Sequence, residues 1–463
     1  MVSRGSGRDR LTYADGMRSP IPDYLLEVLD SCGTDGGAVA DYIPELAAAD
    51  PDRFGICVAT VDGTVYTAGD ADAEFTIQSM SKPFTYALAL ADRGVAALHE
   101  RVGVEPSGEA FNDLSLEPQS GRPRNAMINA GALLTHSLVD GEDSAARSER
   151  VREGFSRFAG RDLVVDEGAF ASELESAHHN LGMAHLLKAS GTLDCDPVEV
   201  VEGYTRQCSI TVSCRDLAIM AATLANAGVH PQTHEVLLSR SVVRQVLSVM
   251  MTCGMYDAAG DWMTDVGIPA KSGVSGGVIG ALPGQVGVAV FSPRLDPHGS
   301  SVRGIEVFER LSSDMGMHLM DVAQEGRSAL RGSYVSEGDE PVTVYEVQGD
   351  LRFAGAETVV RAIAASEHTT QRVALDLTRV YRLHDVGRRM LLECVRRLGE
   401  DGLDVVVIDP ERTLPDAASV DSELLEVVDS LDDVVSHATD GCRPSNVVVR
   451  AALTREVHPS RCV

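Results

Sequence analysis

The amino-acid sequence predicts an α+β domain, with an antiparallel sheet and a helical subdomain, followed by a small α/β domain. Three observations lead to this prediction. Pairs of apolar, β-prone runs joined by turn residues stand at 54–67 and again at 277–291. A long stretch with helical periodicity, from about 125 to 255, lies between the two pairs. Beyond residue 340, runs typical of strands alternate with runs typical of helices.

Length and composition set the domain boundaries that we expect. A chain of 463 residues exceeds what one hydrophobic core normally serves. The stretch 326–340 is polar and rich in glycine and serine, which is typical of a linker. The predicted organisation is a flexible N-terminal tail at 1–20, a first domain at 21–325, the linker at 326–340, a second domain at 341–440 and a C-terminal tail at 441–463.

Charge and cysteine usage exclude several classes of protein. The net charge of −29 argues against binding to nucleic acid or to an anionic membrane, since both need a basic surface. The nine cysteines are scattered without a Cys-x-x-Cys pair, which suits a reducing cytosol and gives neither a disulfide framework nor a zinc site. No apolar run is long enough to span a membrane, and residues 1–18 lack the apolar core of a secretory signal. We therefore expect a cytoplasmic protein.

The outer elements of the first domain follow from local signals. An amphipathic run at 24–29, preceded by two prolines, predicts a helix. An Asp-Gly dipeptide separates the β-prone runs 54–61 and 64–67, which predicts a hairpin. A Pro-Gly dipeptide likewise joins the runs 277–281 and 286–291 into a second hairpin.

Ser79 and Lys82 stand at the start of the next predicted helix. The helix should begin near Ser79, because Pro83 is tolerated only in a first turn, and it should end at Gly94. Residues three apart share a helix face, so the lysine amine comes beside the serine hydroxyl. A serine hydroxyl needs a nearby base to act as a nucleophile. Ser-x-x-Lys is therefore the smallest unit that could form an acyl-enzyme.

A second lysine strengthens this interpretation. The chain has only three lysines, and Lys271 begins a strand-like Lys-Ser-Gly segment that ends at Gly273. Ser-x-x-Lys, Lys-Thr-Gly and Ser-Asp-Asn together are the signature of serine β-lactamases and penicillin-binding proteins. Gly273 would let a substrate lie close to the strand. A Ser-Asp-Asn element and a deacylating glutamate cannot be placed, which argues against an enzyme that hydrolyses penicillin.

The predicted second domain is built from alternating elements. The pattern indicates some parallel pairing of its strands. Its predicted elements are strands at 342–347, 372–377 and 405–408, and helices at 357–365 and 387–398.

Residues 24 to about 320 resemble the serine-dependent glutaminase family, which shares the β-lactamase fold. The resemblance implies hydrolysis of L-glutamine to L-glutamate and ammonia, without a metal or organic cofactor, in a homodimer or homotetramer. The segments that carry it are 40–44, 78–83, 105–108, 129–132, 172–176, 207–210, 220–226, 253–257 and 270–274.

The same resemblance assigns roles at the reacting bond. Ser79 would attack the side-chain amide carbon and Lys82, as the free amine, would accept its proton. Tyr256 and Tyr42 would relay protons to the leaving ammonia and from the incoming water. The backbone N–H groups of Ser79 and Val274 would form the oxyanion hole. Lys271 and Gly273 would support this arrangement.

Four further residues would hold the amino-acid end of glutamine. Glu173 would meet the α-ammonium group, while Asn129, Asn180 and Tyr204 would fix the remainder. A zwitterion needs an anion for its ammonium and polar donors for its carboxylate, so the set is chemically coherent. Taken singly, each has a simpler interpretation: the asparagines as helix caps or turn residues, the tyrosine as a core residue and the glutamate as a solvated charge.

Two neighbouring histidines, His178 and His179, look like metal ligands. They have no Cys or His partner at ligand spacing, and we predict no metal site.

The second domain resembles the STAS family, found in anti-sigma-factor antagonists and sulfate-transporter tails. The resemblance is carried by 373–378 and by 383–387 before a helix. In signalling members a phosphorylated serine occupies the place of Asp385, so a permanent negative charge is expected here instead. The resemblance implies a module for regulation or assembly, with an unknown protein or ligand partner.

Three hypotheses remain open from the sequence. The first is a glutaminase with an appended STAS module. The second is a penicillin-recognising acylase or esterase on the same fold. The third is a non-catalytic STAS signalling protein that senses glutamine, against which the intact Ser79, Lys82 and Tyr256 set argues.

Overall fold

The computed structural model describes residues 19–33, 36–108, 116–321, 328–336, 340–366, 369–414 and 426–436. The chain divides into two compact units, with the boundary between Asp321 and Val322. The predicted tails lie outside the described residues, except for Ser19 and Pro20. Among the helices that are described, none is both long enough and apolar enough to cross a membrane.

The first unit contains an antiparallel sheet of five strands in the described part of the chain, in the order β2-β1-β7-β6-β5. Two shorter strands, β3 and β4, pair separately. The strands are β1 (Gly55–Thr60), β2 (Val65–Gly69), β3 (Phe75–Thr76), β4 (Thr211–Val212), β5 (Ala270–Gly273), β6 (Gly277–Leu282) and β7 (Val286–Phe291).

Thirteen α-helices complete the described part of this unit. They are α1 (Ile21–Ser31), α2 (Pro44–Ala47), α3 (Lys82–Arg93), α4 (Val95–Arg101), α5 (Asn129–Ser137), α6 (Ser144–Ala159), α7 (Glu167–Glu175), α8 (His178–Ala189), α9 (Pro197–Cys208), α10 (Cys214–Ala225), α11 (Arg240–Cys253), α12 (Ala259–Asp265) and α13 (Val302–Met315). The predicted hairpins and the helical region between them are confirmed.

Both faces of the sheet are buried. Alternate residues of β1 enter different cores: Cys57 packs with the helical subdomain, whereas Ile56 packs with α1 and α13. Helix α10 crosses one face so closely that a Cβ on Gly287 of β7 would lie 2.1 Å from the backbone nitrogen of Ala222. Because the sheet is covered on both sides, its strands read as continuous apolar runs.

The second unit is a mixed sheet with helices. The described strands lie in the order β12-β11-β10-β9-β8, parallel throughout except for the antiparallel β8–β9 pair. The fold class predicted from the sequence, α+β with an α/β C-terminal part, is confirmed. The elements are β8 (Leu330–Val335), β9 (Val342–Leu351), α14 (Phe353–Ala364), β10 (Arg372–Leu383), α15 (Asp385–Glu400), β11 (Asp404–Ile408), β12 (Glu426–Val428) and α16 (Leu431–Ser436).

One prediction needs correction within this unit. The stretch 326–340 was expected to be a linker, but β8 lies inside it and pairs with β9. Its residues are polar because β8 is an edge strand whose side chains are mostly exposed. The amino-acid composition of this stretch is therefore typical of a linker, although the backbone of β8 is hydrogen-bonded within the sheet.

Candidate active site

Ser79 lies in a single 3-10 turn, Gln78–Ser81, that runs directly into α3. Pro83 stands in the first turn of α3, and Gly94 ends the helix with a φ of 81°. This arrangement confirms the helix predicted from Pro83 and Gly94. The residue before the serine, Gln78, has a φ of 49°, a left-handed conformation that side-chain contacts must stabilise.

Lys82 is buried, with 1% of its surface exposed, and its backbone N–H donates to the carbonyl oxygen of Ser79. Its Nζ donates a hydrogen bond of 2.7 Å to Oδ1 of Asn129. Burial lowers the pKa of Lys82 to about 7, because no water solvates the charged form. The amine is therefore available as a base near neutral pH.

Lys271 and Tyr256 contact each other close to Ser79 and Lys82. Lys271, fully buried on β5, places its Nζ 3.7 Å from the ring centroid of Tyr256 and donates to the carbonyl oxygen of Ser272 at 2.9 Å. Burial, and then the nearby charge of Lys82, holds the pKa of Lys271 well below its usual value. The hydroxyl of Tyr256 hydrogen-bonds with Ser79, and burial raises the pKa of Tyr256, so the phenol stays protonated at neutral pH.

Glu173, on α7, receives two hydrogen bonds at the other side of the site. The Tyr42 hydroxyl donates to its Oε1 at 2.8 Å, and Gln78 Nε2 donates to the same oxygen at 2.9 Å. Burial raises the pKa of Glu173, and no ion pair with it occurs among the residues the structure describes. The site thus contains a partly desolvated carboxylate that no cation of the described residues pairs with.

The polar groups predicted for the amino-acid end also converge. Nδ2 of Asn129 donates to Oδ1 of Asn180 at 3.3 Å, and Tyr204 is 4% exposed. They share a cavity of about 360 Å³ with Ser79. The lining residues are Tyr42, Gln78, Ser79, Asn129, Glu173, Ser176, Ala177, His179, Asn180, Tyr204, Thr205, Cys208 and Val274.

Gly273 lies next to the turn that carries Ser79 rather than in the cavity lining. A Cβ at this position would lie 3.3 Å from the carbonyl oxygen of Ile77 and 3.3 Å from Cε of Met80. The space left by the missing side chain is therefore used by the turn that carries Ser79.

Sequence reasoning missed several residues of the cavity wall. Gln78 is the most informative of them, and its position directly before Ser79 was the available signal. Cys208 and Thr205 were missed because nothing in α9 except Tyr204 suggested that it faces a substrate. His179 lines the cavity, and within the described ranges no group of three or more His, Cys, Asp and Glu side chains could hold a metal ion.

A larger cavity, of about 760 Å³, lies elsewhere in the first unit. It is bordered by α6 and α9 and contains none of the predicted site residues. Volume alone therefore does not select a candidate site, whereas a buried lysine with a lowered pKa near a serine does.

This fold and this cavity define a class of hydrolase: an α+β enzyme whose cavity contains a serine three residues before a buried lysine. The glutaminase family model matches residues 37–320, and the STAS domain model matches residues 333–432. The chain belongs to the glutaminase family and carries a C-terminal STAS domain, as the sequence resemblance predicted.

Individual relatives agree with the glutaminase assignment. A glutaminase of Corynebacterium glutamicum is 49% identical over 400 residues, covering 86% of this chain and 96% of the relative. A glutaminase of Trichormus variabilis is 52% identical over 285 residues, covering 62% of this chain and 85% of the relative.

Solved structures give the same result. A crystal structure of Mglu superposes with a TM-score of 0.79 at 52% identity, covering 86% of this chain and all of that one. The probable glutaminase ybaS has a TM-score of 0.63 at 38% identity, covering 65% of this chain and 99% of that one.

Proposed function

We propose that this protein hydrolyses L-glutamine to L-glutamate and ammonia through an acyl-enzyme on Ser79. The observation that carries the proposal is one cavity that joins two chemical environments. Ser79 adjoins Lys82, whose pKa burial lowers to about 7, and the same cavity is lined by the desolvated carboxylate of Glu173. The first environment suits acyl transfer and the second suits an ammonium group.

Glu173 would bind the α-ammonium group of glutamine. A carboxylate whose pKa is raised by burial gains most from an added cation, and the substrate brings one. Tyr42 and Gln78 orient this carboxylate through their hydrogen bonds. Asn129, Asn180 and Tyr204 would bind the rest of the amino-acid end, which fixes the amide carbon near Ser79.

In the acylation step, Oγ of Ser79 attacks the side-chain amide carbon and Nζ of Lys82 takes the hydroxyl proton. The backbone N–H groups of Ser79 and Val274 would stabilise the oxyanion. As the C–N bond breaks, the leaving nitrogen takes a proton and departs as ammonia. Tyr256 is suited to pass that proton, because it is protonated and hydrogen-bonded to Ser79.

In the second step, a water molecule attacks the ester carbon of the glutamyl-enzyme. Lys82, again neutral, would accept the proton of that water, and Tyr256 and Tyr42 would relay it. Breaking the ester bond returns the proton to Oγ of Ser79 and releases glutamate. The Tyr42 hydroxyl is also committed to Glu173, which links its role to substrate binding.

The STAS domain would regulate or assemble a cytoplasmic homodimer or homotetramer. Asp385 is the first residue of α15, where a carboxylate is favoured by the helix dipole. It would supply a fixed negative charge where signalling relatives are phosphorylated.

Ammonia release tests the proposed reaction. Wild-type protein and Ser79→Ala are each incubated with L-glutamine, L-asparagine and a penicillin. Release from glutamine that Ser79→Ala abolishes is expected. Unchanged release in Ser79→Ala, or hydrolysis of penicillin in place of glutamine, would contradict the proposal.

A further inference from the structure

A buried polar chain lies behind the turn that carries Ser79. Nε2 of Gln207, on α9, donates to Oγ of Ser81 at 2.9 Å. Oε1 of the same glutamine is 3.0 Å from Nδ1 of His136, on α5. Ser81, Gln207 and His136 are 0%, 2% and 0% exposed. None of the three lines the cavity that contains Ser79.

The hydrogen bonds that join His136, Gln207 and Ser81 all run in one direction. Because the amide nitrogen of Gln207 donates to Ser81, its oxygen must accept from His136, so Nδ1 of His136 carries the proton. Burial lowers the pKa of His136 to about 4, which keeps the imidazole neutral at physiological pH. Its other nitrogen faces Gly203, where a Cβ would lie 2.3 Å from Nε2.

The position of Ser81 gives this chain a link to the chemistry. Ser81 stands between Ser79 and Lys82, in a turn whose first residue, Gln78, has a positive φ. Such a conformation persists only where its surroundings hold it. Helix α5 is connected to this segment at two places: Asn129 accepts from Lys82, and His136 is connected to Ser81 through Gln207 of α9.

We infer that His136 and Gln207 are positioning residues that hold Ser79 against Lys82 by fixing Ser81. The inference rests on the proposed Ser79 mechanism. Since neither side chain borders the cavity, their loss changes the geometry of attack and leaves the substrate contacts in place. The expected signature is a fall in kcat with little change in KM.

The protein offers a matched control for these substitutions. Ser81→Ala and Thr85→Val each delete a buried hydroxyl from consecutive turns of the same segment. The Thr85 hydroxyl has no hydrogen-bond partner within the described structure, whereas that of Ser81 accepts from Gln207. Gln207→Met removes both hydrogen bonds at nearly constant volume. His136→Asn can replace the Nδ1 donor, and His136→Leu cannot.

The test measures kcat and KM for glutamine, and the rate at which a fluorophosphonate labels Ser79, in folded protein. Ser81→Ala, Gln207→Met and His136→Leu are expected to lower kcat and the labelling rate about tenfold, with KM within about twofold. Thr85→Val should change all three by less than about twofold, and His136→Asn should keep more activity than His136→Leu.

The inference is overturned if Ser81→Ala loses no more kcat and labelling rate than Thr85→Val, or if the loss lies in KM. If wild-type protein releases no ammonia from glutamine, the proposed function fails instead. The labelling rates still rank the variants in that case, so the two failures are distinguishable.

Discussion

Burial changes the acid–base chemistry of Lys82 by several pH units. A side chain that is normally charged below pH 10 has its pKa lowered to about 7 here. The unfolded chain therefore binds a proton at Lys82 between about pH 7 and 10.5 that the folded chain does not. Lys82 therefore lowers the free energy of unfolding near pH 7, and this destabilisation disappears as the pH rises towards 10.5.

Lys82→Met should separate activity from stability. We expect no turnover, retained glutamine binding by calorimetry, and a higher melting temperature than wild type at pH 7, with the difference shrinking towards pH 10. In wild type, kcat/KM should rise about tenfold per pH unit below pH 7 and then level off. Turnover by Lys82→Met would show that another group is the base.

Glu173→Gln tests the ammonium site. The substitution removes the charge and keeps the shape, so kcat/KM for glutamine should fall by roughly a hundredfold, mostly through KM. Glu175→Gln, an exposed glutamate of the same helix outside the cavity, is the matched control and should behave like wild type. Equal KM values for the two variants would exclude Glu173 as the ammonium ligand.

At the scale of elements, the turn after α11 lets Tyr256 reach the site. Gly254 ends that helix against β5, and a Cβ there would lie 1.9 Å from the carbonyl oxygen of Ala270. Tyr256 follows with a φ of 56°, which is uncommon for a residue with a side chain. The contact of its ring with Lys271 depends on this close approach.

Gly254→Ala should therefore displace the turn. We expect a melting temperature lower by about 5 °C or more, together with a reduced kcat. Gly260→Ala is the control, because a Cβ on Gly260 of α12 would meet nothing within 4 Å. Differential scanning calorimetry and ammonia release measure both effects. Equal stability of the two variants would mean that the turn relaxes without cost.

Local sequence signals were sufficient to predict those elements whose structure a single turn determines. The Asp-Gly and Pro-Gly hairpins, and the helix fixed by Pro83, depend on backbone preferences of a few residues. The strand β8 could not be predicted, because pairing with β9 overrides its polar composition. Tertiary packing, which no local pattern encodes, determines two further features. One is the contact of Lys271 with the ring of Tyr256, and the other is the series of hydrogen bonds from His136 to Ser81.

At the scale of the molecule, the described residues that line the Ser79 cavity all lie between positions 42 and 274. The Trichormus relative and the ybaS structure cover 62% and 65% of this chain, although 85% and 99% of their own lengths are matched. A chain of this family can therefore be about a third shorter than this one.

A fragment ending at residue 321 should keep kcat/KM within about threefold of the full chain. A fragment ending at residue 335 is the informative comparison, because it keeps β8 without its partner β9 and should aggregate more readily. Light scattering with ammonia release measures both. A folded but inactive 1–321 fragment would show that the second unit completes the site.

The order of strands in the first sheet also bears on biosynthesis. Strand β1 pairs with β7, and roughly 225 residues separate them, which at about 5–20 residues per second is a delay on the order of ten to forty-five seconds during translation. Lys271 and Val274 emerge from the ribosome only near the end of that interval. The nascent chain thus carries Ser79 well before strands β5, β6 and β7 can complete the sheet beside it.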